Sequence, residues 1–217
     1  MTTNQEFKNA ALSALGGNWA PAVLATLVVA VIVCPLAGAT SLYQLFNSEA
    51  FLYGVPPGFY GTSGGSLLLN IFVLLPLGVG FAYAFNALYV YANANVLSNT
   101  FGYGFKGYWR AIGGMLLVQI FTALWTLLLI VPGIIKAYSY TLTPYILIDN
   151  PELSPREAIR RSQQMMKGQK FNLFYLQLSF IGWFFLACLT GGIGFLWLVP
   201  YYQTSQAVFY QNIKNSL

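Results

Sequence analysis

Residues 111–148 read AIGGMLLVQIFTALWTLLLIVPGIIKAYSYTLTPYILI, and Lys136 is the single charged side chain among them. Crossing the hydrocarbon core of a bilayer takes about 20 apolar residues in a helix. The run 111–131 meets that length, and 134–148 supplies a shorter partner of about 23 Å. Pro132-Gly133 between them predicts a helix break that sends the chain straight back, with almost no loop at the tip. The stretch therefore reads as an out-and-back pair of membrane-spanning helices.

The rest of the chain repeats that composition. Of 217 residues, 57% are hydrophobic and 7% charged, where soluble domains carry about 25% charged residues. No Asp, Glu, Lys or Arg occurs from 50 to 105 or from 171 to 213. Each interval is long enough for two crossings; further spans are predicted at 67–96 in the first, at 171–190 and 195–213 in the second, and at 19–41 ahead of both. Six in all make an all-α polytopic bundle in one transmembrane domain, with Pro35 tolerated because neighbouring helices satisfy the carbonyl it frees. The second span is overlong and is expected to tilt or protrude. The opening MTTNQEFKNAALSALGGNW lacks a basic leader, apolar core and cleavage site, so no removable signal peptide is expected.

Short amphipathic helices are predicted on the cytoplasmic surface. Thr3 and Glu6 have capping-box spacing, Phe7, Ala10, Ala11 and Ala14 follow at helical intervals, and Gly16-Gly17 stop the pattern. Residues 97–109 form an aromatic, glycine-rich elbow. Ser154-Pro155-Arg156-Glu157 combine a capping box with proline in the first turn. Behind them Ala158, Ile159, Ser162, Met165 and Met166 share one face, and Arg156, Arg160, Arg161, Gln164 and Lys167 the other, as in an interfacial helix. With the N-terminus inside, every Lys and Arg except Lys136 falls on the cytoplasmic side, in keeping with the positive-inside rule. The net charge of +5 is thereby expected to meet anionic lipid headgroups on the cytoplasmic side and no nucleic acid. A bacterial-type inner membrane with both termini cytoplasmic is the expected setting.

Three connections ahead of outgoing spans are alike: Gly17-Asn18-Trp19, Gly107-Tyr108-Trp109 and Gly168-Gln169-Lys170-Phe171. Gly78, Tyr83 and Asn95 also stand at the offsets of Gly133, Tyr138 and Asn150. Parallel repeats near 3–96, 97–150 and 151–214, each an elbow plus a hairpin, would explain both. The alternative is three unrelated hairpins that share Gly and aromatic residues because elbows need them.

DNPELSPREAIRRSQQMMKGQKFNLFYLQLSFIGWFFL, then GGIGFLWLVPYYQTSQAVFY, and before them LLLIVPGIIKAYSYTLTPYILIDN, resemble an uncharacterised bacterial integral-membrane family, domain of unknown function nine hundred seventy-five. The resemblance covers about 109 to the C-terminus and is thin before it; the loop 42–66 matches no pattern. It implies a multi-pass bacterial membrane protein and brings no activity with it.

Chemistry is narrowed mainly by what is missing. Gly61-Thr62-Ser63-Gly64-Gly65 has the form of a nucleophile elbow, but the chain contains no histidine to serve as base. A Ser63–Lys136 dyad is the remaining catalytic option, against a flexible turn. Asp149 and Glu152 read as exposed helix-end residues, and no phosphate-cradling loop is present. Cys34 and Cys188 sit in apolar runs, as small buried hydrophobes. No enzyme activity, cofactor or metal is expected.

Five residues are candidates for a ligand. Lys136, an ionisable group inside a span, either holds an anionic group or pairs with Glu49, or it snorkels to the interface. Tyr83, Asn86 and Asn93, with Tyr138 on the fourth span, line a polar path or act as interhelical packing glue. Arg156, Arg160, Arg161, Lys167 and Lys170 are lipid-headgroup candidates, or a plain expression of membrane topology. The leading expectation is non-catalytic binding or transport of a lipid or small amphiphile. An accessory or scaffold subunit with a protein partner in the membrane is the alternative, and an intramembrane enzyme the minor one.

Overall fold

Hydrocarbon offers no hydrogen bonds, so an apolar chain of this kind must satisfy its amides internally, and helices do so within each segment. The computed structural model describes residues 4–46, 70–92 and 95–216, with the backbone alone at 33–46, 70 and 130. It is helical throughout, with no strand among the described residues. The helices are α1 (Asn4–Leu15), α2 (Trp19–Phe46), α3 (Leu75–Tyr91, preceded by a π-helical turn Asn70–Leu74), α4 (Val96–Phe105), α5 (Tyr108–Leu128) and α6 (Ile130–Tyr140). They continue as α7 (Thr143–Asp149), α8 (Pro155–Met165), α9 (Lys170–Leu178), α10 (Ile181–Leu189) and α11 (Phe195–Asn215). The loop beyond Phe46, with Glu49 and Ser63, and also Asn93, lie outside the described residues.

Among the described residues, three stretches are long and apolar enough to cross a membrane: Ile71–Tyr91, Tyr108–Leu128 and Lys170–Leu189. A fourth arises if α1 and the start of α2, bent by 96° at Gly16–Asn18, count as one broken span. The three differ in what covers them. Of the first, 67% is buried inside the protein, against 17% and 22% of the others. Phe81, Phe85 and Leu88 of α3 pack with Leu15, Ala22, Ala25 and Val96, while Phe209 and Tyr210 of α11 anchor a second cluster with Phe7, Ile146, Met166 and Leu173. The α5–α6 tip and α10 do the opposite, with Leu127 88% and Leu189 83% exposed and Val131, Phe184 and Phe185 beside them also open. Apolar surface this extensive is compatible with a hydrocarbon solvent and costly in water.

Close approach fixes two helix pairs. A Cβ on Gly80 would collide with the Thr100 carbonyl oxygen, and one on Gly104 would lie 2.8 Å from the Pro76 carbonyl oxygen, so α3 and α4 touch backbone to backbone. Gly133 does the same for α6 on α5, where a Cβ would lie 2.6 Å from Thr126 Cα. At the heads of α2, α5 and α9 the chain turns on a left-handed glycine each time: Gly17 (φ 80°), Gly107 (φ 77°) and Gly168 (φ 82°). Side chains rarely adopt that region, which accounts for glycine at all three elbows.

Several boundaries differ from the sequence reading. The hairpin turns at Leu129, whose backbone is extended (φ −159°, ψ 136°). Pro132-Gly133 lie inside α6, because proline in a first helical turn gives up an amide that has no partner there anyway. The stretch 134–148 is split at Thr141-Leu142 into α6 and α7. The 97–109 elbow runs back along α3: the Tyr108 hydroxyl donates to the Phe72 carbonyl at 2.7 Å and Trp109 meets Phe72 edge to face. The apolar faces of α1 and α8 are covered by protein, through Phe7, Ala11 and Leu15 in one and Ala158, Ile159, Ser162 and Met165 in the other. A helix whose apolar stripe is already buried has little left to place in lipid. Cys188 is exposed on α10 rather than buried.

Candidate functional site

Gly168 ends α8 and starts α9, and the two lysines around it, Lys167 and Lys170, are set apart by that left-handed turn. From there α9 runs beside α6, and an open groove of about 430 Å³ lies between them. Its walls are Ile134, Ile135 and Tyr138 of α6 and Phe171 and Phe174 of α9, with Lys167, Gly168 and Lys170 at one mouth. Tyr138 stands edge to face against Phe174, and its hydroxyl donates to Gln177 Oε1 at 2.7 Å. Apolar walls with cations at one end suit an amphiphile whose head is negative, since the tail needs only contact and the head needs charge.

The groove gathers three of the ten candidates, Tyr138, Lys167 and Lys170. Arg156, Arg160 and Arg161 point outward from α8. Lys136, one residue from the groove wall, turns the other way, with its Nζ 4.8 Å from the centre of the Trp125 ring on α5. That cation–π contact gives its charge a partner within the hairpin. Tyr83 and Asn86 part company: the Tyr83 ring lies on Tyr103 of α4 at 4.0 Å, while Asn86 Oδ1 accepts from Gln211 Nε2 of α11 at 2.7 Å. Buried at 3% exposure, Asn86 is bonded to a neighbouring helix in the manner of packing glue.

Two polar clusters were not legible as such. Arg110 Nε donates to the Leu153 carbonyl at 2.8 Å and Nη2 to that of Asn150, so one guanidinium ties the α7–α8 turn to α5. Asp149, 14% exposed, accepts from the Tyr210 hydroxyl at 2.8 Å and pairs with Lys214 at 2.6 Å. It joins α7 to α11, which corrects its reading as an exposed helix end. A carboxylate and an arginine within two residues of a helix end were the signal available, but both partner sets lie at least 40 positions away. A smaller cavity of about 190 Å³ beside Lys106 and Arg110 has its guanidinium already committed to those carbonyls. At the start of α8, Ser154 and Glu157 form both arms of the capping box, with Ser154 N–H donating to Glu157 Oε2 at 2.8 Å. These bonds, to the Ser154 side chain and backbone, hold the Glu157 carboxyl below its ordinary range, with Arg160 adding to them.

No curated protein and no solved structure matches the chain. Residues 115–216, which contain the whole α6–α9 groove, match the family model described as a protein of unknown function (DUF975).

Proposed function

We propose that this is a multi-pass protein of a bacterial-type inner membrane that binds or moves a lipid or small amphiphile and does no covalent chemistry, with the α6–α9 groove as its site. The observation that supports it is the pairing of apolar walls with Lys167 and Lys170 at a single mouth. An anionic headgroup is the chemistry those lysines recognise.

In this reading both termini are cytoplasmic and six apolar segments cross. The distribution of Lys and Arg, all but Lys136 on segments assigned inside, supports that orientation. Left-handed glycines at three matching elbows support a plan of three units over 3–96, 97–150 and 151–214. Phe72, at the start of the second segment, bonds to Tyr108, at the start of the third. The two starts belong to opposite faces in this reading, so the contact counts against a full crossing by the second segment.

The test is lipid retention. Purified from a membrane of mixed phosphatidylglycerol and phosphatidylethanolamine, the protein is expected to keep phosphatidylglycerol in native mass spectra. Lys167→Gln with Lys170→Gln is expected to weaken that retention roughly thirtyfold, at about 1 kcal/mol for each lysine near a headgroup. Equal retention by the double variant removes the groove from consideration, and a stable protein partner in place of lipid favours the scaffold reading.

A further inference from the structure

The groove between α6 and α9 does not end at Phe174. Continuing along the same helical line, Gln177, Ile181 and Phe184 form one wall of a second apolar groove of about 360 Å³, closed on its other side by Phe195, Leu198 and Tyr202. Lys170, Phe174, Gln177, Ile181 and Phe184 are spaced by four and three residues, which is one stripe of a helix. Lys170–Leu189 forms one continuous apolar stretch, with a tight turn at Ser179-Phe180 inside it. The two grooves therefore lie end to end along α9 and α10.

A side-chain hydrogen bond links their linings. Tyr138 belongs to the first groove, Gln177 to the second, and the bond between them spans 2.7 Å. Tyr202, which lines the far groove beside Gln177, accepts from Gln206 Nε2 at 2.7 Å and is held in place by it. Among the described residues, Lys170 is the one cation of this stripe. Lys8 of α1 reaches the turn between the grooves, its Nζ donating to the Ser179 carbonyl at 3.0 Å and lying 4.6 Å from the centre of the Phe180 ring. Past Gln177 the lining is apolar apart from Tyr202.

Dimensions decide what fits. From Lys170 to Gln177 is about 10 Å of helix, and from Lys170 to Phe184 about 21 Å. One leaflet of a bilayer is about 15 Å of hydrocarbon, half the core thickness. A headgroup held at Lys167 and Lys170 leaves room in the first groove for only part of a membrane-lipid tail. We infer that the two grooves form one binding track for a long-chain anionic lipid, with its tail crossing the Tyr138–Gln177 pair, and that this pair sets which chain lengths are accepted. The inference rests on the groove reading above and adds the position of the tail and a ruler for it. Both partners in the pinch are side chains, so it opens by exchange of side-chain hydrogen bonds.

The experiment uses the full chain in phosphatidylcholine nanodiscs and lysophosphatidic acid probes with a diazirine at the end of an octanoyl or a palmitoyl tail. Peptide mapping after irradiation locates the tail end. The octanoyl probe is expected to mark Ile135 or Phe174, and the palmitoyl probe Ile181, Phe184 or Leu198. Phe185, exposed on another face of α10, reports background labelling by free lipid. Leu198→Trp, which fills the far groove, is expected to cut palmitoyl labelling of Phe184 about tenfold and to leave octanoyl labelling within about twofold. Tyr138→Phe is expected to raise palmitoyl labelling beyond Gln177. Palmitoyl ends found only before Gln177 in the unmodified chain, or no more often at Phe184 than at Phe185, overturn the track whatever the variants do. Loss of both probes' labelling to the level of Phe185, with no response to Lys167→Gln and Lys170→Gln, instead removes the underlying groove reading and the track with it.

Discussion

Arg110 holds two backbone carbonyls of the α7–α8 turn with one side chain. Without it those acceptors lose a charged donor, and each such bond is worth about 1.5–3 kcal/mol. Arg110→Ala is therefore expected to lower stability by about 2 kcal/mol, seen as a lower melting temperature in detergent. Arg110→Lys should recover only part, because an ammonium lacks the fork geometry; an unchanged melt for Arg110→Ala would remove the brace from the account. Glu157 gives a pH-dependent counterpart. Its carboxyl titrates below the ordinary range in the folded chain because of its bonds to Ser154, so the stabilisation is present above the unfolded pKa and is lost as pH falls through the folded one. Protection of the Ser154 amide against hydrogen exchange, corrected for intrinsic rate, should decline only once the pH falls below the ordinary carboxylate range. Glu157→Gln should make that profile flat. Both arms of this box lie within four residues, which is why the sequence alone located it, whereas the partners of Arg110 and Asp149 depend on how distant helices meet.

Helix contacts are the next level, and here glycine does what sequence periodicity does not reveal. Gly80 and Gly104 permit backbone contact between α3 and α4, while Gly102 on the same helix faces open space. Gly104→Ala is expected to cost about 3 kcal/mol through overpacking, and Gly80→Ala more, since its Cβ would meet the Thr100 carbonyl. Gly102→Ala should gain up to about 1 kcal/mol from helix propensity. Thermal unfolding of the three variants orders them, and equal melts would mean that α3 and α4 are not in register at this contact. The same level explains the misplaced turn in the central hairpin. Pro132-Gly133 signals a boundary without saying which side is helix, and the extended backbone torsions of Leu129 put the break there. Tyr138, Lys167 and Lys170 were each legible as candidates one at a time. Their meeting in one groove was not, because it depends on α6 packing beside α9.

For the molecule as a whole, composition made the apolar, span-length helices legible and local signals made most helix ends legible, but the path between them was less so. An elbow expected at the end of α3 lies along it, and two helices expected to rest on lipid bury their apolar faces in protein. The orientation remains directly testable. In a variant without native cysteines, Arg160→Cys is expected to react with an impermeant maleimide only after intact cells are permeabilised; reaction in intact cells would invert the topology.

The three left-handed glycines have a consequence for how the chain tolerates change. Beside Gly17, Gly107 and Gly168 there is nothing within 4 Å of where a Cβ would stand, so crowding gives no reason to reserve these places for the smallest residue. What excludes the other amino acids is their handedness alone. A mirror-image alanine introduced by chemical ligation prefers the torsions these corners already have, and it would suit them where its natural counterpart strains.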